Sequence, residues 1–301
     1  MTLIADIKRN ALDDGPGIRS VVFFKGCTLR CQWCQNPETL STRAEIQRNP
    51  ERCVGCGACV QACPHQVARP GAEVEARTRC QRCGACVDAC LEEARRLVGE
   101  ALEVEEVVRR LLRDAPFYRR SGGGVTFSGG EPALHPTFAG RVAARLQAEG
   151  IPVLLETAGL FGWSAFATHL LPHLTAVYFD LKVFDPAHHR QVTGADNRRI
   201  LENFRRLAVR AARGEVELLP RVPLVPGITT EAENLAAIAA FVRDLGLPRL
   251  ALLPYNPLWI AKRRGLGPGE GGLRYHHDRF MQDAEVEQCR EVVRRAGVEV
   301  V

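Results

Sequence analysis

Long apolar runs are missing from this sequence of 301 residues. No stretch approaches the ~20 apolar residues that cross a bilayer, and the first ten residues contain no apolar segment of the kind found in a secretory signal. We therefore expect no association with membranes and a cytoplasmic location.

Charge of one sign is also scarce. The chain has 40 Lys and Arg residues against 35 Asp and Glu, which leaves a net charge of +5, and the Arg residues are spread along the sequence. Proteins that bind nucleic acids gather their basic residues on one surface. The composition therefore argues against a nucleic-acid partner and leaves a modest attraction to an acidic protein open.

Cysteine, by contrast, is abundant. Of 12 cysteines, 11 lie between Cys27 and Cys90, and Cys289 stands apart in a predicted helix. A disulfide scaffold is a poor explanation, because cytosolic thiols stay reduced and disulfide-dense domains are much shorter. Metal binding explains the cluster better, whereas we expect Cys289 to be a packing residue.

Apolar segments of strand length alternate with segments of helical periodicity along most of the chain. Six strands are predicted in this way: Ile18–Phe24, Gly124–Phe127, Pro152–Thr157, Ala176–Lys182, Val216–Leu224 and Arg249–Pro254. The alternation predicts an α/β fold with a parallel sheet and right-handed crossovers. Six units are fewer than the eight of a closed TIM barrel, so we expect an open or partial barrel, with a doubly wound sheet as the alternative. In both folds, ligands bind at the carboxyl ends of the strands.

Residues 46–97 interrupt this alternation and contain an internal repeat. The segment that begins at Cys53 and ends at Cys63 matches the segment from Cys80 to Cys90 at eight of eleven positions. We interpret residues 46–97 as an inserted domain, and residues 1–45 together with 98–301 as the barrel domain.

A three-cysteine loop follows the first predicted strand. Cys27, Cys31 and Cys34 are separated by three and then two residues, so their thiolates can converge on one face of a [4Fe–4S] cluster. Such a cluster usually takes four cysteines, and with three of them one iron keeps an open coordination position. A zinc knuckle is the alternative, but it needs a fourth Cys or His nearby, and none follows before Cys53.

This loop resembles the cluster-binding motif of the radical S-adenosylmethionine superfamily. Its flanking segments are similar to those of the activating enzymes of glycyl radical enzymes, and these segments are Asp14–Arg19, Gly123–Pro132, Asp180–Lys182 and Arg221–Gly227. The resemblance spans nearly the whole chain and implies a partial (β/α)6 barrel. It also implies that the chain cleaves S-adenosylmethionine reductively, and that the 5′-deoxyadenosyl radical takes a hydrogen from a glycine of a partner enzyme.

The resemblance also implies roles for individual residues. Gly129, Gly130 and Glu131 would meet the amino group of S-adenosylmethionine, Lys182 its carboxylate, and Asp180 its ribose or amino group. Further cofactor contacts are implied for Trp33, Glu156, Thr157, Arg221 and Asn256, the last at a position where many relatives carry His. Contact with the partner protein is implied for Asp14, Gly15, Pro16, Gly17 and Arg19.

The repeated segment has the spacing of a two-cluster bacterial ferredoxin, in which the fourth cysteine of each run ligates the other cluster. Cys53, Cys56, Cys59 and Cys90 would then hold one [4Fe–4S] cluster. Cys80, Cys83, Cys86 and Cys63 would hold the second, which gives three clusters in all. Two zinc sites are the alternative. We expect the module to pass on electrons from a flavodoxin or a ferredoxin-type reductant.

Two other functions remain open at this point. The radical could act on a small molecule or another peptide, an alternative that Asp14–Arg19 disfavours. The chain could also be a non-catalytic electron carrier of the ferredoxin type, but a carrier would have four ligands for every cluster, which the loop at Cys27 does not provide.

Overall fold

The computed structural model describes residues 1–69, 79–266 and 275–301. Its central element is a sheet in which six parallel strands lie in the order of the sequence. These strands are β2 (Arg19–Phe24), β6 (Gly124–Gly129), β7 (Val153–Thr157), β8 (Ala176–Asp180), β9 (Glu217–Pro223) and β10 (Arg249–Leu253). A doubly wound sheet reverses its strand order at a switch point. The unbroken order therefore excludes that alternative and agrees with a partial barrel.

Three strands of this sheet were not predicted from the sequence, and they lie outside the six parallel strands, on either side of them. They are β1 (Thr2–Ala11), β5 (Glu100–Leu102) and β11 (Glu299–Val300). β1 pairs antiparallel with β2 on one side and with β5 on the other. Its sequence includes Asp6, Lys8 and Arg9 and lacks the continuous apolar character of the parallel strands, because much of β1 is exposed.

Helices cover one face of the sheet. The helices of the barrel are α3 (Val104–Leu112), α4 (Ala115–Ser121), α5 (Pro136–Ala148), α6 (Trp163–His169), α7 (Pro186–Thr193), α8 (Arg198–Ala212), α9 (Ala232–Asp244), α10 (Trp259–Gly265) and α11 (Asp283–Arg295). Short 3-10 turns lie at Pro37–Thr39, Pro50–Arg52, Pro132–Leu134 and Leu171–His173.

The main core lies between these helices and the sheet. Phe127 of β6, Phe179 of β8 and Val222 of β9 are fully buried there. Cys289 of α11 belongs to the same core, which confirms its expected packing role. Successive strand residues point to opposite faces, so Glu156, Asp180 and Arg221 lie on the other face of the sheet.

The cysteine-rich segment is bounded by a small antiparallel ribbon. Its strands are β3 (Glu45–Arg48) and β4 (Arg95–Val98), with Glu45 opposite Val98. The described residues between these strands include two helices of one turn, α1 (Ala58–Gln61) and α2 (Ala85–Asp88), at equivalent positions of the repeat. In the described part of the chain, no helix is long and apolar enough to cross a membrane.

Candidate active site and cluster-binding sites

The loop that carries Cys27, Cys31 and Cys34 begins where β2 ends. Backbone hydrogen bonds fix it to the end of α7, because the amides of Arg30 and Gln32 donate to the carbonyls of Thr193 and Val192 at 2.7 and 3.1 Å. The loop is thus held at the carboxyl edge of the parallel strands, where the fold is expected to bind ligands.

The three thiols of this loop lie near enough to one another for their charges to interact. Burial, together with the neighbouring Cys31, raises the pKa of Cys27 to about 12. Burial likewise raises the pKa of Cys31 and of Cys34. Lys182 opposes this change at Cys27 and Cys31, which places its positive charge beside the thiols. The site therefore favours neutral thiols until further positive charge, such as iron, compensates the thiolates.

Trp33 packs beneath the three-cysteine loop. Its side chain is buried in a second apolar cluster, next to the main core, that forms the floor under the loop. The cluster consists of Trp33, Val183, Val192, Val225, Ile228, Tyr255 and Trp259. Trp33 therefore anchors the loop by packing.

Four charged side chains from three adjacent strands and their ends form a network on the inner face of the sheet. Arg221 donates from Nη1 to Glu156 at 2.5 Å and from Nε to Asp180 at 2.9 Å. Lys182 donates to the second oxygen of Asp180 at 3.1 Å. Ser128 completes the network by donating to Glu156 at 2.6 Å. Two positive and two negative charges thus balance within one site.

The electrostatics of this network keep Asp180 and Lys182 charged. Burial would raise the pKa of Asp180, but the charges of Arg221 and Lys182 outweigh burial and hold that pKa below its ordinary value. Burial would lower the pKa of Lys182, but Asp180 and the nearby Cys31 outweigh it and raise that pKa. The sequence predicted that Asp180 and Lys182 share one side of the strand end, and their ion pair confirms this.

Gly129 and Gly130 allow a close approach between strand ends. Gly129 has a φ of +109°, and a Cβ atom there would lie 2.6 Å from the backbone nitrogen of Phe24. A Cβ atom at Gly130 would lie 2.2 Å from the carbonyl oxygen of Gly26. The segment is therefore packed directly against the start of the cysteine loop, where a side chain would displace it.

Glu131 and Thr157 bind each other. The Thr157 hydroxyl lies 2.8 and 2.9 Å from the two carboxylate oxygens of Glu131, which also accept from the amides of Ala133 and Ala158. Burial raises the pKa of Glu131 to about 7, and the hydrogen bond from Thr157 opposes this. These two residues join the ends of β6 and β7 beside Cys27, whose pKa the charge of Glu131 raises.

Asn256 lies just beyond the end of β10. Its side-chain oxygen accepts from the amide of Leu258 at 2.9 Å, and its backbone oxygen accepts from Gln35 at 3.0 Å. The side chain therefore stabilises the turn before α10, while the backbone contacts the residue that follows Cys34.

The segment Asp14–Arg19 leads into β2 and is held against β6. Arg19 is buried and donates to the Thr126 hydroxyl at 2.7 Å, and that hydroxyl donates to the Asp14 carbonyl at 2.7 Å. Burial and the nearby charge of Glu156 raise the pKa of Asp14. The Asp14 carboxylate thus faces the charged network, which places this segment and the network on the same side of the sheet.

The eight cysteines of the inserted segment divide between two cavities. One, of about 290 Å³, is lined by Cys53, Cys56, Cys59 and Cys90 among other residues. The other, of about 220 Å³, is lined by Cys63, Cys80, Cys83 and Cys86 among others. Each set combines three cysteines of one repeat with the last cysteine of the other, as the ferredoxin spacing predicts. Within the described ranges, no three His, Cys, Asp or Glu side chains are placed as ligands of a single metal ion.

Two polar residues near the site were not predicted from the sequence. Ser128 supports Glu156, and Tyr178 lies under the Arg221 guanidinium at 5.4 Å from ring centroid to Cζ. The period of two along β6 and β8 could have identified both, because each is two residues from a predicted site residue.

The family model of the radical SAM superfamily matches residues 21–237 of the chain. The chain is 33% identical to the indoleacetate decarboxylase activating enzyme of Tractidigestivibacter scatoligenes, with 99% of this chain and 96% of that protein covered. It is 40% identical to the benzylsuccinate synthase activating enzyme of Thauera aromatica, over 80% of this chain and 73% of that protein.

Solved structures show the same fold. The structure of a radical SAM methyltransferase from Sphaerobacter thermophilus aligns with all of this chain over 77% of that protein, with a TM-score of 0.53 and 14% identity.

The chain is also 33% identical to the pyruvate formate-lyase 2-activating enzyme of Escherichia coli K12, over 99% of this chain and 91% of that protein. A site of three thiols at the carboxyl edge of a parallel sheet, the family match and these relatives together show that the chain belongs to the radical SAM superfamily, among the activating enzymes of glycyl radical enzymes.

Proposed function

We propose that this protein activates a glycyl radical enzyme by reductive cleavage of S-adenosylmethionine at a [4Fe–4S] cluster held by Cys27, Cys31 and Cys34. When bound, the cluster and S-adenosylmethionine supply a 5′-deoxyadenosyl radical, which takes a hydrogen from a glycine of the partner enzyme. The observation that carries this proposal is the position of Cys27, Cys31 and Cys34 on one loop at the carboxyl edge of the parallel strands, beside a balanced group of four charges.

The charged network fits the polar parts of S-adenosylmethionine. Lys182 lies beside the thiols and is assigned to the methionine carboxylate. This carboxylate and Asp180 would then both interact with the positive charge of Lys182. Asp180 is assigned to the ribose or amino group and Arg221 to the carboxylate or ribose, while Glu156 lies near the cofactor. Because the residues already hold one another, a ligand meets preset dipoles and little rearrangement is needed.

Other assignments follow from the same geometry. Gly129 and Gly130 expose backbone next to the loop, and Glu131 with Thr157 fixes the strand ends around it. Trp33 supports the loop by packing and Asn256 supports the turn beside it, and both stay assigned to contact with the cofactor.

The segment Asp14–Arg19 is assigned to the partner. Arg19 fixes its backbone from below, and Gly15 and Gly17, at φ of +122° and +68°, keep it free of bulky side chains. A glycine-containing peptide that enters along this segment would reach the charged network, because Asp14 already faces Glu156.

Residues 46–97 are assigned to a ferredoxin-like domain with two further [4Fe–4S] clusters, in the cavities of Cys53/Cys56/Cys59/Cys90 and Cys63/Cys80/Cys83/Cys86. Each cluster has four ligands and no open iron, so its role is to pass electrons from a flavodoxin or ferredoxin-type reductant toward the catalytic cluster.

A partner assay tests the activating function. The reconstituted, reduced protein is mixed anaerobically with S-adenosylmethionine and each of a panel of glycyl radical enzymes, and the carbon-centred radical is measured by electron paramagnetic resonance (EPR). We expect a radical on one partner and none when its glycine is replaced by alanine. Formation of 5′-deoxyadenosine without a radical on any partner, together with a modified small molecule or short peptide, would contradict the proposal.

The variant Asp14→Asn separates partner contact from cofactor cleavage. Loss of a charged hydrogen-bond acceptor costs about 1.5–3 kcal/mol, so we expect radical transfer to fall by about ten- to a hundredfold. Formation of 5′-deoxyadenosine without partner should change little. An equal loss of both activities would contradict the assignment of this segment to the partner.

A further inference from the structure

Lys25 is a buried lysine that the proposed reaction does not use. It directly precedes Gly26 and Cys27, and only 1% of its surface is exposed. Its Nζ donates to the carbonyl oxygen of Glu38 at 2.6 Å and pairs with the Glu45 carboxylate at 3.1 Å. Removing an ammonium group from water costs free energy. The fold buries this group at the edge of the catalytic loop despite that cost.

The fold is built around this side chain. Gly99 has a φ of +112°, and a Cβ atom there would lie 2.6 Å from the Cδ atom of Lys25. The Lys25 carbonyl also binds a ring nitrogen of His135 at 2.9 Å. The backbone and the side chain of Lys25 are therefore both fixed.

Lys25 lies between two groups of cysteines. On one side, its partner Glu45 begins β3 and lines the cavity of Cys63, Cys80, Cys83 and Cys86. On the other side, Lys25 binds the backbone of Glu38, whose carboxylate lies close enough to Cys34 to act on that thiol. The ion pair therefore occupies the boundary between the catalytic loop and the inserted domain.

We propose that Lys25 and Glu45 set the reduction potentials of the clusters on either side of them and so the direction of electron transfer into the catalytic loop. This proposal rests on the proposed function. An electron adds one negative charge to a cluster, so a fixed positive charge nearby raises the reduction potential and a fixed negative charge lowers it. In the transfer itself, one electron leaves the insert cluster, which is oxidised, and reduces the catalytic cluster. The external reductant replaces that electron.

Two variants of the same ion pair test this proposal, because they remove charges of opposite sign. Lys25→Met removes the positive charge with similar side-chain length, and Glu45→Gln removes the negative charge. An EPR-monitored redox titration of the holoenzyme gives the midpoint potentials. S-adenosylmethionine alters only the signal of the cluster with an open iron, which identifies the catalytic cluster.

We expect Lys25→Met to lower the midpoint potential of the catalytic cluster and Glu45→Gln to raise it. An effect of about tenfold on the ratio of reduced to oxidised cluster corresponds to 59 mV for one electron. Lys25→Arg, which keeps the charge, should leave the potential near that of the wild type. Lys8→Met is the matched control, because Lys8 is 55% exposed and its charge is screened by water.

Shifts in the same direction, or no shift, in Lys25→Met and Glu45→Gln would overturn the proposal, since loss of a merely structural ion pair would affect both variants alike. If Lys25→Met does not take up iron, Glu45→Gln decides: a raised potential supports the proposal, and a lowered or unchanged one overturns it. If no signal of the wild-type protein responds to S-adenosylmethionine, the proposed function itself fails, and that is visible before any variant is compared.

Discussion

Replacement of Arg221 by Met tests whether the charged network stabilises the site. In the wild type, one guanidinium binds Glu156 at 2.5 Å and Asp180 at 2.9 Å, and Lys182 brings the group to neutrality. The substitution leaves a surplus negative charge among side chains that are only 10–20% exposed.

The size of the effect follows from this burial. Removal of one partner from a buried ion pair costs about 3–5 kcal/mol, and we take the lower end because the carboxylates keep some contact with water. For a domain of this size, about 3 kcal/mol corresponds to a fall of about 6 °C in the melting temperature. Addition of Glu156→Gln to Arg221→Met restores neutrality, so the double variant should melt above the single one.

The acid dependence has a defined sign. The folded-state pKa of Asp180 is lowered, so its contribution to stability is present above its unfolded pKa and is lost as the pH falls through the folded value. Without Arg221 the pKa of Asp180 rises, and this loss begins at a higher pH. In Arg221→Met, the carboxylates that repel each other become protonated at this higher pH. The difference in melting temperature between the wild type and Arg221→Met should therefore become smaller as the pH is lowered.

The assay is thermal unfolding of reconstituted protein under anaerobic conditions, followed by circular dichroism at one heating rate, since the transition can be irreversible. Arg141→Met is the matched control, because Arg141 forms an exposed pair with Glu105 at 3.6 Å that should contribute nothing measurable. If Arg221→Met and Arg141→Met both have the melting temperature of the wild type, the network gives no net stabilisation and the reasoning is refuted.

Two further predictions concern Glu131 and the inserted cysteines. Burial raises the pKa of Glu131 to about 7. Its contribution to stability is therefore fully present below its unfolded pKa and is lost as the pH rises through about 7, a change of about 3 kcal/mol. The melting temperature of Glu131→Gln should lack this dependence on pH, and an equal dependence in wild type and variant would contradict the raised pKa. If the last cysteine of each repeat ligates the cluster of the other repeat, Cys63→Ser combined with Cys80→Ser removes the iron of one cluster. Cys63→Ser combined with Cys56→Ser then removes the iron of two clusters, as measured by iron analysis. The reverse pattern would show that each repeat holds its own cluster.

The parallel sheet was predictable because burial on both faces gives its strands a continuous apolar signature. Val21–Phe24 and Val153–Leu155 carry this signature, and the chain order of the strands follows from the helices between them. β1 was missed because it is partly exposed, so its charged residues conceal the strand period.

The candidate site was predictable where chemistry is local in the sequence. The spacing of the loop cysteines and the period of two between Asp180 and Lys182 each indicate convergence without a structure. The ion pairs of Arg221 were not predictable from spacing, because its partners come from two other strands and only the sheet register brings them together.

Three assignments depend on contacts between distant segments. Glu131 binds Thr157 across 26 positions, and Trp33 packs under the loop against residues from Val183 to Trp259. Lys25 stands in a run of apolar residues and carries no motif, so its ion pair with Glu45 appears only when the inserted segment is placed.

The central claim is that the three-cysteine loop supports cleavage of S-adenosylmethionine. The most direct test is anaerobic reconstitution with iron and sulfide, reduction, addition of S-adenosylmethionine and measurement of 5′-deoxyadenosine, with Cys34→Ala compared against Cys289→Ala. Cys289 is buried in the main core and belongs to no proposed ligand set, so its variant controls for loss of a cysteine. The account predicts product in the wild type and in Cys289→Ala and none in Cys34→Ala. No product from a wild-type protein that holds all three clusters would contradict the account and favour an electron carrier.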